Sequence, residues 1–325
     1  MSIEMRAKWG NLVKGVGLEI SEAVYQGADT YMPGVLSVLH TENTDAAQVN
    51  YTDFTDFTPV GYRDEADNAI EQTRYKGFDS KYIVDSVSGT VLLTQESIND
   101  NQLGDALNAA KFQGKSMQIF VDKAGYQLFN QGFDTNATDK GGYKLNWFAD
   151  TKPQFSVAHP SAVPGGSTQS NASATGIAVT EDNVEVAELA LEAQKDDLGE
   201  MLDFTGNKMI LASNELRRKL KIITESTQKT NSDYNDVNIY ADGTISFMTT
   251  KYLGAGNKGS ATQWFFIDTD SHKLYHVDRE GITMDTDYNG RNRTYEYTIH
   301  RRFATVSKGW KATWGSKGGG ANYTA

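Results

Sequence analysis

Residues 103–133 read LGDALNAAKFQGKSMQIFVDKAGYQLFNQGF. Within them Leu103, Leu107, Ala110, Gly114, Met117, Val121, Ala124 and Leu128 step by three or four, the spacing of one face of an α-helix. The pattern predicts a single helix over Leu103–Phe129, about 42 Å long at the usual rise per residue. Gly132 follows at a position where helices commonly stop.

The texture on either side differs. Upstream, residues 46–98 alternate as strands do, in Gln48-Val49-Asn50-Tyr51-Thr52-Asp53-Phe54, around Tyr82-Ile83-Val84 and through Thr90-Val91-Leu92-Leu93. A polar stretch, GYRDEADNAIEQTRYKG, separates the runs, so two long strands with a polar tip are expected over Gln48–Leu93. Residues 41–71 hold eight acids (Glu42, Asp45, Asp53, Asp56, Asp64, Glu65, Asp67, Glu71) and one base, Arg63. A lone two-stranded hairpin is barely stable in water and leans on a partner. Nearer the start, Trp9, Leu12, Val16, Ile20 and Val24 predict a helix over 4–28 that Pro33 closes.

Downstream, residues 133–180 are rich in turns, with Gly141-Gly142 and Gly165-Gly166 and a tract, GGSTQSNASATG, expected as a surface loop. Asp182 with Glu185 resembles a capping box opening a helix over 184–203. Lys208–Leu211 reads as a buried strand, and Asn214 as the cap of a helix carrying Leu216, Leu220 and Ile223. Its basic residues, Arg217, Arg218, Lys219 and Lys221, read as a solvated face. Gln263–Ile267 and Lys273–Val277 are expected to pair, and Tyr295, Tyr297 and Ile299 alternate along a last strand. Residues 291–325 carry seven Lys or Arg against a single acid, Glu296.

Composition narrows the function. The 325 residues include 16 Tyr and 14 Phe, too many aromatics for a disordered chain. There is no cysteine, which removes disulfides, thiolate nucleophiles and sulfur-ligated metals together. The net charge of −11 argues against a surface made to grip phosphates. The start, MSIEMRAKWG, lacks the apolar run of a signal peptide, and no apolar stretch reaches the length of a membrane span; synthesis in a cytoplasm is expected.

In the order of its elements the chain resembles the major capsid proteins of tailed double-stranded-DNA bacteriophages. RYKGFDSKYIVDSVSGTVLLTQESINDNQ, leading into the long helix, is similar to that family's loop strand feeding its spine helix. WFADTKPQFSVAHPSAVPGGSTQSN and NKMILASNELRRKLKIITES resemble the axial lobe of the Mu-like members. The resemblance implies an α+β fold with an N-terminal arm (1–45), an extended β-hairpin loop (46–98), a spine helix with part of a peripheral domain (99–144) and an axial domain (145–240). Residues 241–325 would return strands to the axial and peripheral domains and end in the tail. It also implies a subunit of an icosahedral head, assembling as hexamers and pentamers around the DNA genome, with portal and scaffold or decoration proteins as partners and no cofactor. An encapsulin-like compartment, a tail tube or a decoration subunit are the alternatives. Since the fold starts within about 30 residues of Met1, a separate scaffold or none is expected. The acidic stretch and the basic tail are opposite in sign, which suits contacts between copies; Asp64, Glu65 and Asp67 are expected to face Arg301 and Arg302 of a neighbour.

No catalytic set emerges. Gly114-Lys115-Ser116 lacks the earlier glycine of a phosphate loop, Ala109 standing there, and lies in mid-helix. Asn171-Ala172-Ser173 matches a glycosylation acceptor without a secretion signal. His272 and His276 have no third ligand. Asp285, Asp287, Asn289 and Glu296, with Gly290, match the calcium-loop pattern. That loop belongs between helices, whereas the flanks here alternate as strands, and Arg291 and Arg293 add positive charge, so a polar hairpin turn is the reading. Chelation by EDTA is expected to leave the melting temperature unchanged; a fall that added calcium reverses would restore the calcium reading.

Overall fold

The computed structural model describes residues 17–65, 68–99, 103–134, 139–140, 143–146, 148–228, 237–257 and 259–319. Residues 4–16 of the expected first helix, Asp67, Gly141-Gly142 and 320–325 lie outside them. In chain order the elements are helix α1 (17–29), strands β1 (His40–Asn43), β2 (Gln48–Phe54), β3 (Lys76–Ile83) and β4 (Asp85–Thr94), then helices α2 (Gln95–Asn99) and α3 (Leu103–Asn130). Short strands β5 (Asp139–Lys140) and β6 (Tyr143–Asn146) precede α4 (Glu181–Glu192), β7 (Lys208–Ser213) and α5 (Arg217–Glu225). The chain finishes with β8 (Ile245–Thr250), β9 (Trp264–Asp268), β10 (Leu274–Asn289), β11 (Thr294–Ser307) and β12 (Thr313–Ser316).

Helix α3 is the element around which the others are arranged. Its first half sets Ala106, Ala110 and Met117 against Ile20, Ala23 and Val24 of α1 and against Tyr295, Tyr297 and Ile299 of β11. In the middle, Val121 and Ala124 meet Phe303. Its last turns bring Tyr126, Leu128 and Phe129 onto Leu211, Phe265 and Ile267. One apolar stripe therefore packs on two different sheets.

The first sheet has the order β1-β10-β11-β6-β5, with β4 also paired to β11. Strands β10 and β11 form one long antiparallel ribbon from Leu274↔Ser307 to Asn289↔Thr294, with register shifts between Asp278 and Thr283. The second sheet, β12-β9-β7-β8, is covered on both faces. Met209 and Leu211 of β7 and Phe265 and Ile267 of β9 face the end of α3. Their alternates, Ile210, Ala212, Trp264 and Phe266, face α4 and α5. Burial on both faces explains why Met209–Ala212 is apolar without alternation.

Residues 148–180 contain no helix or strand and are held by isolated bridges, such as His159 with Gln169, together with buried side-chain hydrogen bonds. Asn171 accepts from the Ser156 amide (2.8 Å) and donates to the Gln154 carbonyl (2.7 Å). His159 bonds Asp150 through Nδ1 (2.5 Å) and Asn171 through Nε2 (3.1 Å), and stacks on Trp310 at 4.3 Å. Asn171 and Ala172 are buried, so the glycosylation-like triplet opens in the interior, while residues 165–168 and 174–175 are exposed as a surface loop would be.

Several expectations change in detail. Strand β4 is not the second arm of the hairpin: β2 pairs with β3 alone, and β4, beyond the buried Val84, pairs with β11. Alternation identifies a strand but not its partner. Helix α4 is capped by Thr180, whose side chain accepts from the Asn183 amide, and it ends at Glu192, leaving Leu198 outside. Ser213, not Asn214, caps the short 3₁₀ turn that leads into α5. Gln263–Ile267 and Lys273–Val277 do not pair, because β9 lies between β12 and β7 while β10 enters the other sheet.

The glycine in the middle of α3 has a packing reason. A Cβ on Gly114 would lie 2.0 Å from the Val24 carbonyl oxygen, and one on Gly27 would lie 2.0 Å from that of Lys111. The two helices thus approach until their backbones touch, which only glycine permits. Gly104, on the same helix, has nothing within 4 Å of a Cβ. Gly114→Ala is expected to destabilise the subunit by about 1–3 kcal/mol or more, as overpacking does. Gly104→Ala should be neutral or stabilising by up to about 1 kcal/mol. Denaturant unfolding of the two variants checks the opposite signs.

Candidate assembly surfaces

The hairpin of β2 and β3 is rooted firmly and ends in the open. At its root Tyr82 is buried, donating to the Ser307 carbonyl (3.1 Å), and packs with Val84, Val277, Ala304 and Val306. Burial, more than the neighbouring Asp53, pushes the Tyr51 phenol up to about 12. Beyond Phe54 the ribbon continues through threonines: the Thr55 amide donates to the Tyr75 carbonyl (3.0 Å), and the Thr58 amide to that of Thr73 (3.0 Å). Arg74 donates to the Thr55 carbonyl (2.7 Å) and lies over the rings of Phe54 and Phe57.

Past that point the described side chains are largely open to solvent. Phe57, Val60 and Ile70 are exposed and Tyr62 is wholly so. Asp56, Asp64, Glu65 and Glu71 are exposed among them. Apolar groups displayed together and rimmed by charge mark a surface meant for a partner. The charge count singled out this tip from the sequence but passed over its apolar residues, although Phe57, Val60, Tyr62 and Ile70 recur within the same polar stretch.

The basic tail is largely committed inside the subunit. Arg301 is 6% exposed, donating to Asp278 (2.7 Å) and to Gln118 on α3 (3.0 Å). It stands at the inward position of the alternation Tyr295, Tyr297, Ile299, and continuing that alternation would have placed it in the core. It therefore drops out as a contact for a neighbour. Arg302 is half-buried on the opposite face. Arg293 lies 3.5 Å from Glu96, and Lys311 lies 3.4 Å from Asp196 and 3.3 Å from Asp197. Lys308 pairs with Glu42, so the acidic stretch and the basic tail do meet, but within one chain. Asp53 pairs with Lys273 at 3.5 Å.

The calcium-like residues sit on the β10–β11 ribbon, whose turn is confined to residues 290–293. Asp285, Asp287 and Asn289 follow one another along β10, and Glu296 stands opposite Asp287. Residues in extended strand do not form the continuous loop that wraps an ion in the calcium-binding pattern. His272 and His276 are both buried. His272 bonds the Val38 carbonyl through Nε2 (2.8 Å) and receives the Leu274 amide at Nδ1 (3.1 Å), which makes it a neutral strut. Neither nitrogen of His276 has a partner among the described residues.

The comparisons with known proteins agree with this architecture. A family model described as phage capsid protein matches residues 78–314. The chain belongs to the phage capsid protein family. The capsid subunit of a native GTA particle superposes with a TM-score of 0.57 at 12% identity, covering 90% of each chain. That of the mature capsid of bacteriophage PhiM1 gives 0.54 at 9%, covering 88% of this chain and 86% of the other. That of Myoviridae phage XM1 gives 0.51 at 10%, covering 89% and 92%. No curated protein matches in sequence. These likenesses show the shared fold, and the family match places the chain among phage capsids as a group, without singling out the Mu-like members. The protein is a structural subunit that assembles with copies of itself into the virion shell.

Inside the capsid subunit the two histidines make stability depend on pH. Burial, with His40 close to one and Arg301 close to the other, holds each down to about 4 from its ordinary 6.5. Between those values the unfolded chain binds more protons than the folded one, so stability falls as pH falls from 6.5 toward 4. The contribution is on the order of 3 kcal/mol for each ring once pH is below the folded value. His276→Phe should unfold with a shallower dependence over that window; an unchanged slope in denaturant titrations would contradict it.

Proposed function

We propose that this subunit closes into an icosahedral head of hexamers and pentamers around double-stranded DNA. The observation that carries the reading is the hairpin tip, which exposes Phe57, Val60, Tyr62 and Ile70 on an arm anchored at Tyr82. Folding of one subunit does not bury these groups, and overlap with an adjacent copy does. The net charge of −11 suits a wall that encloses DNA without gripping it. A portal and a scaffold or decoration protein are the partners such a head requires. Its work is geometric, with no catalytic step, and synthesis takes place in the host bacterial cytoplasm.

The tip can be removed without disturbing its root. A variant in which a two-residue Asn-Gly turn joins Thr55 to Tyr75 keeps both strands of the hairpin. It is expected to melt close to the parent yet to remain as small oligomers, while the parent forms shells seen by light scattering and electron microscopy. Normal shells from the trimmed chain, or a parent that stays monomeric under every assembly condition, would overturn the reading.

A further inference from the structure

Asn289-Gly290 is the one Asn-Gly pair in the chain. Such a pair usually makes a two-residue hairpin turn in which both residues take positive φ. Here it does not. The turn between β10 and β11 takes residues 290–293, and the left-handed conformation falls on Arg293 (φ 52°). Gly290 stays outside that region, and a Cβ added to it would meet nothing closer than Tyr288, at 3.9 Å. Neither backbone conformation nor space therefore calls for glycine at 290.

What glycine does leave open is access to its own nitrogen. Asn289 and Gly290 are both exposed, so water reaches them. The Asn289 side chain is folded back along the chain: its Oδ1 accepts from the Arg291 amide (3.1 Å), closing an Asx turn over Gly290. That bond carries the side-chain carbonyl carbon toward the Gly290 nitrogen and draws electrons from it. An electrophilic carbon, an unhindered nitrogen and solvent meet at one point.

We infer that Asn289 is a site of self-modification, its amide lost to the main-chain nitrogen of Gly290. That nitrogen bonds to Cγ of Asn289, the carbon–nitrogen bond of the amide breaks, and ammonia leaves carrying the proton the nitrogen gave up. A succinimide ring is closed. Water then adds to one of its carbonyls and opens it. Attack at Cγ gives aspartate in the ordinary chain, and attack at the main-chain carbonyl gives isoaspartate. No oxidant or reductant takes part, and each event turns a neutral amide into a carboxylate.

The change falls on a joint. The Gln95 amide of α2 donates to the Arg293 carbonyl (2.9 Å), and Tyr288 and Arg293 both donate to Oε1 of Gln95 (3.2 and 3.3 Å). Arg293 also lies 3.5 Å from Glu96. Isoaspartate lengthens the main chain between Tyr288 and Gly290, and so disturbs the Asn289↔Thr294 register beside these contacts. A subunit thus gains negative charge at the ribbon's end as it ages.

Trypsin cuts after Arg279 and Arg291 and releases peptide 280–291, in which Asn289 is the only side-chain amide. The full chain is aged for days in mildly alkaline buffer made with heavy-oxygen water, which tells ageing from loss during digestion. The peptide should take the mass of an acid in place of an amide, carry the heavy oxygen, and separate into aspartate and isoaspartate forms. Gly290→Ala, which the space around it admits, should melt with the parent. It should convert at about a tenth of the parent's rate or less, its Cβ crowding the attacking nitrogen. No mass gain in this peptide would overturn the inference. So would aspartate without isoaspartate, the mark of direct hydrolysis, or a Gly290→Ala chain that converts as fast as the parent. None of these readouts depends on assembly, so they stand apart from whether shells form.

Discussion

The fold depends on α3 packing along one side against two sheets that otherwise share little. Its first half rests on α1 and β11, and its last turns rest on β7 and β9. A helix this long tolerates no change of register, since a slip of one residue would turn the stripe about 100° away from both cores. Specific polar contacts resist such slippage. Asp122 accepts from the Val35 amide (2.9 Å) and from Tyr31 (2.5 Å), fixing the turn after α1. Asn130, at the end, donates to the Tyr252 carbonyl (2.8 Å) and accepts from Gln263 (2.7 Å). Gly27 and Gly114 let α1 lie directly on the same helix.

Charge is divided by region. Near the root of the hairpin and along the tail, opposite charges meet inside the subunit, as in Arg301 with Asp278 and Lys308 with Glu42. Among the described residues the exposed acids of the tip form no such pair, and on α5 Lys221 meets Glu225 of its own helix at 3.4 Å. Exposed ion pairs contribute only about 0–1 kcal/mol each, so a subunit gains little by pairing these groups within itself. Between copies the same charges act collectively on orientation and partner choice.

Long-range order was legible where periodicity was long and uniform. The limits of α3 follow from eight apolar residues on one face, and the strand at Lys208–Leu211 from an apolar run with turn residues on either side. Partners were not legible. Nothing in Thr90–Leu93 says that it pairs with β11 and not with β2, and Gln263–Ile267 gives no sign that it lies between two strands distant in sequence. Local alternation carries no information on non-local pairing. Of the residues expected to meet a neighbouring copy, Arg301 was misplaced, because a count of charges ignores which way a strand turns them.

The loop-rich lobe shows why composition alone misleads. Residues 148–180 have the glycines and serines of a surface tract, yet Phe155 and Asn171 are buried. With only isolated bridges such as His159 with Gln169 to satisfy the backbone, side chains supply much of the rest, and buried polar groups need partners. Asn171 meets that need at both ends, through its carbonyl to Ser156 and its amide to Gln154, and His159 extends the network to Asp150 beneath the ring of Trp310. Such a lobe is rigid only while every member is satisfied. That condition ties an irregular region to the β11–β12 connection, and through it to both sheets that α3 joins.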